Sequence, residues 1–191
     1  MAISTTALSY LANTSLILFE LDRTLTTVSE ADVAAAQSAI VSARRLFIAG
    51  AGRSGLALRM AAMRLMHLGL TVHVAGEVTA PAIAAGDLLI VASGSGTTRS
   101  AMHVAEVAIK VGADVLALTT AAGSRLADIA RYVIVIAAAT KQDHGGTRSE
   151  QYAGALFEQS VLLLMDAIFQ TMWHERGESA EQLWKRHANL E

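Results

Sequence analysis

"LFIAGAGRSG", residues 46–55, joins a short aliphatic run to a glycine turn and the start of a helix. The run is apolar at every position up to Gly50, as in a strand buried on both faces of a parallel sheet. From Arg53 the pattern becomes helical: "RSGLALRMAAMRLMH" (53–67), with Gly69 placed to end the helix. The same alternation continues downstream. "TVHVA" (71–75), "DLLIVA" (87–92), "DVLALTT" (114–120) and "YVIVIAA" (132–138) read as further strands. A Ser/Gly loop leading into "TTRSAMHVAEVAIKVG" and the short "SRLADIA" (124–130) supply helices. Strands alternating with helices over short links predict an α/β, three-layer sandwich: a five-stranded parallel sheet, doubly wound and flavodoxin- or Rossmann-like.

Upstream, "ISTTALSYLANTSLILFELD" (3–22) predicts a helix with Leu8, Leu11, Leu16, Leu18 and Phe19 on one broad face. A second helix follows in "TTVSEADVAAAQSAIVSARR" (26–45), with Ser29 as cap and Glu30 and Asp32 at its positive end. The two form a packing or dimerising arm. Downstream, "ATKQDHGGTRSEQ" (139–151), with Gly145–Gly146, has the length and polarity of a functional loop. A long apolar helix (152–175) and "SAEQLWKRHANLE" (179–191) close the chain. The methionines Met60, Met63 and Met66, and the stripe Leu162, Met165 and Phe169, are expected in the core or a subunit interface. The organisation is one domain over 1–191: a helical arm (1–45), the sheet core (46–138) and C-terminal helices (149–191).

Composition narrows the classes. The 191 residues are 53% apolar and 5% aromatic, with a net charge of -2 and no cysteine. That charge gives no reason to expect nucleic acid or an anionic membrane as a partner. The absence of cysteine excludes disulfides and thiolate metal sites and fits a cytoplasmic location. No signal-peptide pattern and no apolar run of membrane-span length occurs. The high hydropathy therefore goes to a large core and to helix faces suited to an oligomer.

Two loops fall where parallel sheets bind ligands, beyond the strand C-termini, where helix N–H groups attract anions. Gly50, Gly52 and Gly55 form a G-x-G-x-x-G, which in a dinucleotide site needs an acidic residue about 20 positions on. Glu77 comes late for that, and Arg53 and Ser54 put bulk and charge where such turns keep small groups. The second loop, Ser93, Gly94, Ser95, Gly96, Thr97 and Thr98, carries four hydroxyls and two glycines, more than a plain helix cap needs. It matches the terminal oxygens of a phosphate monoester. A sugar phosphate is favoured over a dinucleotide.

"GAGRSG", "MRLMHLG", "GEVTAP", "SGSGTT", "LFEQ" and the terminal "RHANLE" together closely resemble the sugar isomerase (SIS) domain family, and within it the 6-phospho-3-hexuloisomerases. The resemblance runs from about residue 45 to the C-terminus. It implies a homotetramer with sites shared between subunits and no metal or redox cofactor. The implied reaction converts D-arabino-3-hexulose 6-phosphate into D-fructose 6-phosphate in the ribulose monophosphate pathway of formaldehyde fixation. It further implies that Gly52, Arg53, Ser54 and the run Ser93–Thr98 bind substrate and that Glu158 is the catalytic base. His67 and His187 join the catalytic candidates, His187 through a tail reaching a neighbouring subunit. Two departures stand out: Thr97 replaces the family's common Glu, and Tyr152 stands where a Gln-Pro pair is frequent. The rival readings are a non-catalytic SIS module sensing a sugar phosphate and an SIS ketose–aldose isomerase of another substrate.

Such chemistry moves a carbonyl from C3 to C2. One base takes the C2 proton, an enediol(ate) forms, and the proton is delivered to C3, with donors stabilising the oxyanion. Glu158, flanked by Leu156, Phe157 and Val161, has the partly apolar setting this base needs. Arg53 is free to neutralise phosphate or to steady the enediolate. His67 also suits its helix C-terminus through the dipole alone. His144 has no partner at ligand spacing.

Overall fold

The computed structural model describes residues 9–140 and 148–190. Leu8, His144, the Gly145–Gly146 pair and Glu191 lie outside them. The elements are α1 (Tyr10–Leu25), α2 (Glu30–Ser42), β1 (Leu46–Gly50), α3 (Gly52–His67), β2 (Val72–Val74), β3 (Leu88–Ala92), α4 (Arg99–Lys110), β4 (Asp114–Thr119), α5 (Arg125–Ile129), β5 (Tyr132–Val135), α6 (Ala155–Arg176) and α7 (Ala180–Trp184). The five strands form one sheet in the order β2-β1-β3-β4-β5, parallel throughout. This is the flavodoxin-like order, whose ligand crevice opens where the winding reverses between β1 and β3.

The two-residue period of the strands sorts the core into two layers. Leu46, Ile48, Leu88, Ile90, Leu116, Leu118 and Ile134 pack with α2, α3 and α6 on one face. Phe47, Leu89, Val91, Val115 and Ala117 meet α4 and α5 on the other. The second face is thinly covered, because the link from β2 to β3 (75–87) contains no helix. At the foot of β3, Asp87 is 2% exposed. Its carboxylate accepts from Arg44 Nε at 3.1 Å, Arg45 Nη2 at 2.7 Å and the Ala84 N–H at 2.9 Å. Burial pushes this carboxyl up, but the hydrogen bonds from Arg45, Arg44 and Ala84, with the Arg45 charge, bring it down to about 2.

Two helix extents are corrected, and the apolar faces of the helices are located. The first helix begins at Tyr10, capped by Ser9, and its buried face is Glu20, Leu21 and Thr24. Leu11, Leu18 and Phe19 point away from the protomer, because α1 lies against α6 with the opposite stripe. On α3, Met60 and Met63 are exposed with Leu56, while Leu58, Ala61 and Leu65 fill the core. The last helix stops at Trp184. Beyond it the chain turns, His187 N–H donating to the Trp184 carbonyl, and His187 stacks on the Trp184 ring.

Candidate active site

The expected strand-end loops are built tightly. A Cβ on Gly50 would lie 2.8 Å from the Gly55 amide nitrogen, and one on Gly55 would strike the Gly50 carbonyl. The first and third glycines thus let the end of β1 touch the first turn of α3, whatever ligand lies above. The second loop is pinned from β4. Ser93 N–H donates to the Leu118 carbonyl, and the Gly94 carbonyl accepts from Thr120 N–H, Thr119 Oγ1 and Thr120 Oγ1. Gly96 has φ +62, and a Cβ there would overlap the Ser124 side chain.

Between these loops opens a cavity of about 440 Å³, lined by Ala51, Ser54, Ser93–Ser95, Thr97, Thr98, Thr140, Gly154 and Phe157 among others. None of its described lining residues is charged. Three helices begin at its wall: α3 after Ala51, α4 after Thr98 and α6 after Gly154. None of the three has a side-chain N-cap bond. By contrast α1, α2, α5 and α7 are each capped by a serine: Ser9, Ser29, Ser124 and Ser179. Thr98 occupies the cap position of α4, yet its hydroxyl accepts from Ser93 Oγ at 3.0 Å. The orphan donors and positive helix ends that capping serines would satisfy therefore meet at one uncharged, hydroxyl-lined hollow, which is the chemistry of an anion site.

Glu158 stands one turn into α6, beside the wall residues Gly154 and Phe157. It is 6% exposed, and its Oε2 accepts from Arg53 Nε at 2.6 Å. Arg53 thus lies against the carboxylate and is absent from the cavity wall. Phe157 also packs over Gly94, where a Cβ would come within 3.3 Å of the ring, so the first turn of α6 and the Ser/Gly loop hold each other.

The structure gathers Ser54, Ser93, Gly94, Ser95, Thr97 and Thr98 around one cavity. Gly52 and Arg53 flank it at the start of α3, and Gly96 turns away onto Ser124. His67 and His187 are elsewhere in the protomer: they stack with ring centroids 5.0 Å apart in a second hollow with Trp173 and Trp184. Ser54 and His67 mark opposite ends of α3, roughly 20 Å apart at about 1.5 Å per residue. Burial, followed by the His187 and Arg64 charges, lowers the His67 pKa below its ordinary value. Glu77 is paired with Arg59 at 2.6 Å. The sequence reading passed over Thr140, which follows the last strand and so sits where the strand-end rule would have sought a ligand contact.

The fold is that of a sugar isomerase (SIS) domain: that family's model matches residues 39–163. The chain belongs to the SIS domain family. A 3-hexulose-6-phosphate isomerase of Mycobacterium gastri is 55% identical to it over 94% of this chain and 90% of the relative. A Bacillus subtilis protein of the same name is 39% identical, over 92% and 95% of the two chains. A solved Methanococcus jannaschii structure, which infers a 3-hexulose-6-phosphate isomerase function for its own protein, superposes with a TM-score of 0.78. Its sequence is 29% identical, with 94% of this chain and 99% of that one covered. No helix among the described residues is long and apolar enough to cross a membrane.

Proposed function

We propose that this chain is an isomerase converting D-arabino-3-hexulose 6-phosphate into D-fructose 6-phosphate, the step after formaldehyde fixation in the ribulose monophosphate pathway. The observation that carries this reading is the meeting of three helix N-termini without side-chain caps at one hydroxyl-lined cavity, with a buried carboxylate on the first turn of one of them. The relatives' shared name supplies the substrate.

The phosphate sits among Ser54, Ser93, Ser95, Thr97 and Thr98 and the first N–H groups of α4. Hydroxyls and helix ends are the anion-binding groups that the described wall offers to a dianion. Glu158 takes the proton from C2 of the 3-ketose. The electron pair forms the C2–C3 double bond of an enediolate, and the O3 oxyanion takes up a proton. Return of the carbon-bound proton to C3, with loss of the O2 proton, leaves the carbonyl at C2. Arg53 keeps Glu158 oriented and offers positive charge beside the developing oxyanion.

His67 and His187 take part through a second copy. They reach the cavity of a neighbouring subunit in a homotetramer with shared sites, and the exposed Leu11, Leu18 and Phe19 of α1 offer apolar surface to such an assembly. The whole chain serves as one SIS unit, with residues 1–45 as its arm.

The test is a coupled assay scoring fructose 6-phosphate formed from the 3-hexulose phosphate. Glu158→Gln abolishes turnover while fructose 6-phosphate still binds. Near-normal turnover in that variant would remove Glu158 from the mechanism, and no product from the wild type would remove the substrate assignment.

A further inference from the structure

Glu20 is a buried carboxylate that the proposed chemistry does not use. It is 3% exposed on α1, a helix whose remaining acidic side chain, Asp22, points to solvent. Its Oε2 accepts from Ser149 Oγ at 2.7 Å and from Gln151 Nε2 at 2.9 Å, and its Oε1 accepts from the Glu150 N–H at 2.8 Å. One turn on, Arg23 Nη2 donates to the Arg148 carbonyl at 3.0 Å. Burial raises the Glu20 carboxyl, but the hydrogen bonds from Ser149, Gln151 and Glu150, with the Arg23 charge, bring it below the ordinary carboxylate value.

Residues 148–154 have no helix or strand of their own. They lead directly into α6, whose start carries Gly154 and Phe157 on the cavity wall and Glu158 beside it. Within this stretch Ala153 holds φ 52, a left-handed conformation that costs a non-glycine residue energy and persists only where its surroundings impose it. The charge-assisted bonds from Glu20 are the strongest ties on the segment, and they fall two to four residues before that strained turn.

We infer that Glu20 is a positioning residue for the active site: by clamping Ser149, Glu150 and Gln151 it fixes where α6 begins, and so where Glu158 and Phe157 stand relative to the Ser93–Thr98 loop. This rests on the reading of Glu158 as the base. The Ser93–Thr98 loop is hydrogen-bonded to β4 and meets α6 through the Phe157–Gly94 contact, so loss of Glu20 acts on the chemical step more than on the grip on phosphate.

The experiment compares Glu20→Ala, Ser149→Ala, Asp22→Asn and Glu158→Gln in steady-state kinetics, with hydrogen exchange on the folded proteins. Glu20→Ala lowers kcat at least about tenfold with KM changed less than about threefold, since displacing a reacting group by about 1 Å costs up to about 100-fold. Ser149→Ala moves kcat in the same direction by a smaller factor, and it carries the test if Glu20→Ala does not fold. Asp22→Asn, on the solvent side of α1, keeps wild-type kinetics. Exchange quickens in peptides covering 148–158 and is unchanged in β1 and β3. If Glu158→Gln is dead while folded Glu20→Ala (or, in its place, Ser149→Ala) keeps wild-type kcat, the clamp is structural only and the inference falls alone. If Glu158→Gln turns over, the base assignment falls and takes the inference with it.

Discussion

Arg53 Nε lies 2.6 Å from Glu158 Oε2, with the arginine side chain 63% exposed and the glutamate 6% exposed. The two residues are 105 positions apart and come from the first turns of different helices. The pair thus registers α3 against α6 at the point where both face the cavity. Replacing Arg53 by Ala removes the guanidinium but lets water reach the carboxylate, so stability falls by only about 1 kcal/mol. kcat falls further, by about 10–100-fold, because Glu158, the proposed base, loses its orientation. Urea unfolding and the coupled assay on the same preparation separate the two effects.

Gly96→Ala strains the Ser93–Thr98 loop twice. The residue needs φ +62, and the new methyl meets the Ser124 side chain. A loss of at least about 1–2 kcal/mol is expected from the backbone alone, together with a higher KM as Ser95 and Thr97 shift. Adding Ser124→Gly relieves the overlap, loses the α5 cap bond at a cost of a few tenths of a kcal/mol, and leaves the part due to φ. Melting temperatures and KM across the single and double variants read this out.

Acid stability tests Asp87. Its carboxyl is lowered from 3.8 to about 2 on folding. The folded protein therefore binds this proton less readily than the unfolded chain. The stabilisation is fully present above about pH 4 and is lost as the pH falls toward about 2, amounting to about 2 kcal/mol. Urea unfolding between pH 5 and pH 2.5 shows this loss. In Asp87→Asn the same pH interval costs about 2 kcal/mol less, from a lower starting stability.

The stacked histidines predict a milder effect near neutrality. The His67 pKa is lowered on folding, by burial first and then by the His187 and Arg64 charges. The unfolded chain takes this proton more readily, so stability declines as the pH falls below His67's ordinary value of 6.5. His67→Phe, which keeps a ring without the titration, flattens that profile.

The sheet was legible because its strands are short, mostly aliphatic runs, several of them bounded by Gly50, Asp87, Ser93 or Asp114, and parallel burial allows little else. The Ser93–Thr98 loop of the candidate site was legible because its hydroxyls and glycines are adjacent in sequence. What escaped were relations between distant residues. Nothing local in "LILFELD" marks Glu20 as an inward-facing residue when the leucines beside it form the more obvious apolar face. That face stays on the surface because α1 meets α6 with Leu21 and Thr24 instead. Arg53 was read as neutralising phosphate or steadying the enediolate, and its pairing with Glu158 escaped because that partner lies 105 residues on. The terminal helix was read too long, since the periodicity of 179–191 does not reveal that His187 would fold back onto Trp184.

β3 has a different task at each end. Asp87 fastens its foot to Arg44 and Arg45, and Ser93 opens the anion loop at its head. The two lie about 20 Å apart along the strand at about 3.3 Å per residue, beyond the range over which substitutions usually couple. Tolerance of acid and choice of substrate can therefore drift independently in this protein. Free-energy changes measured at Asp87 and around Ser93 should simply add.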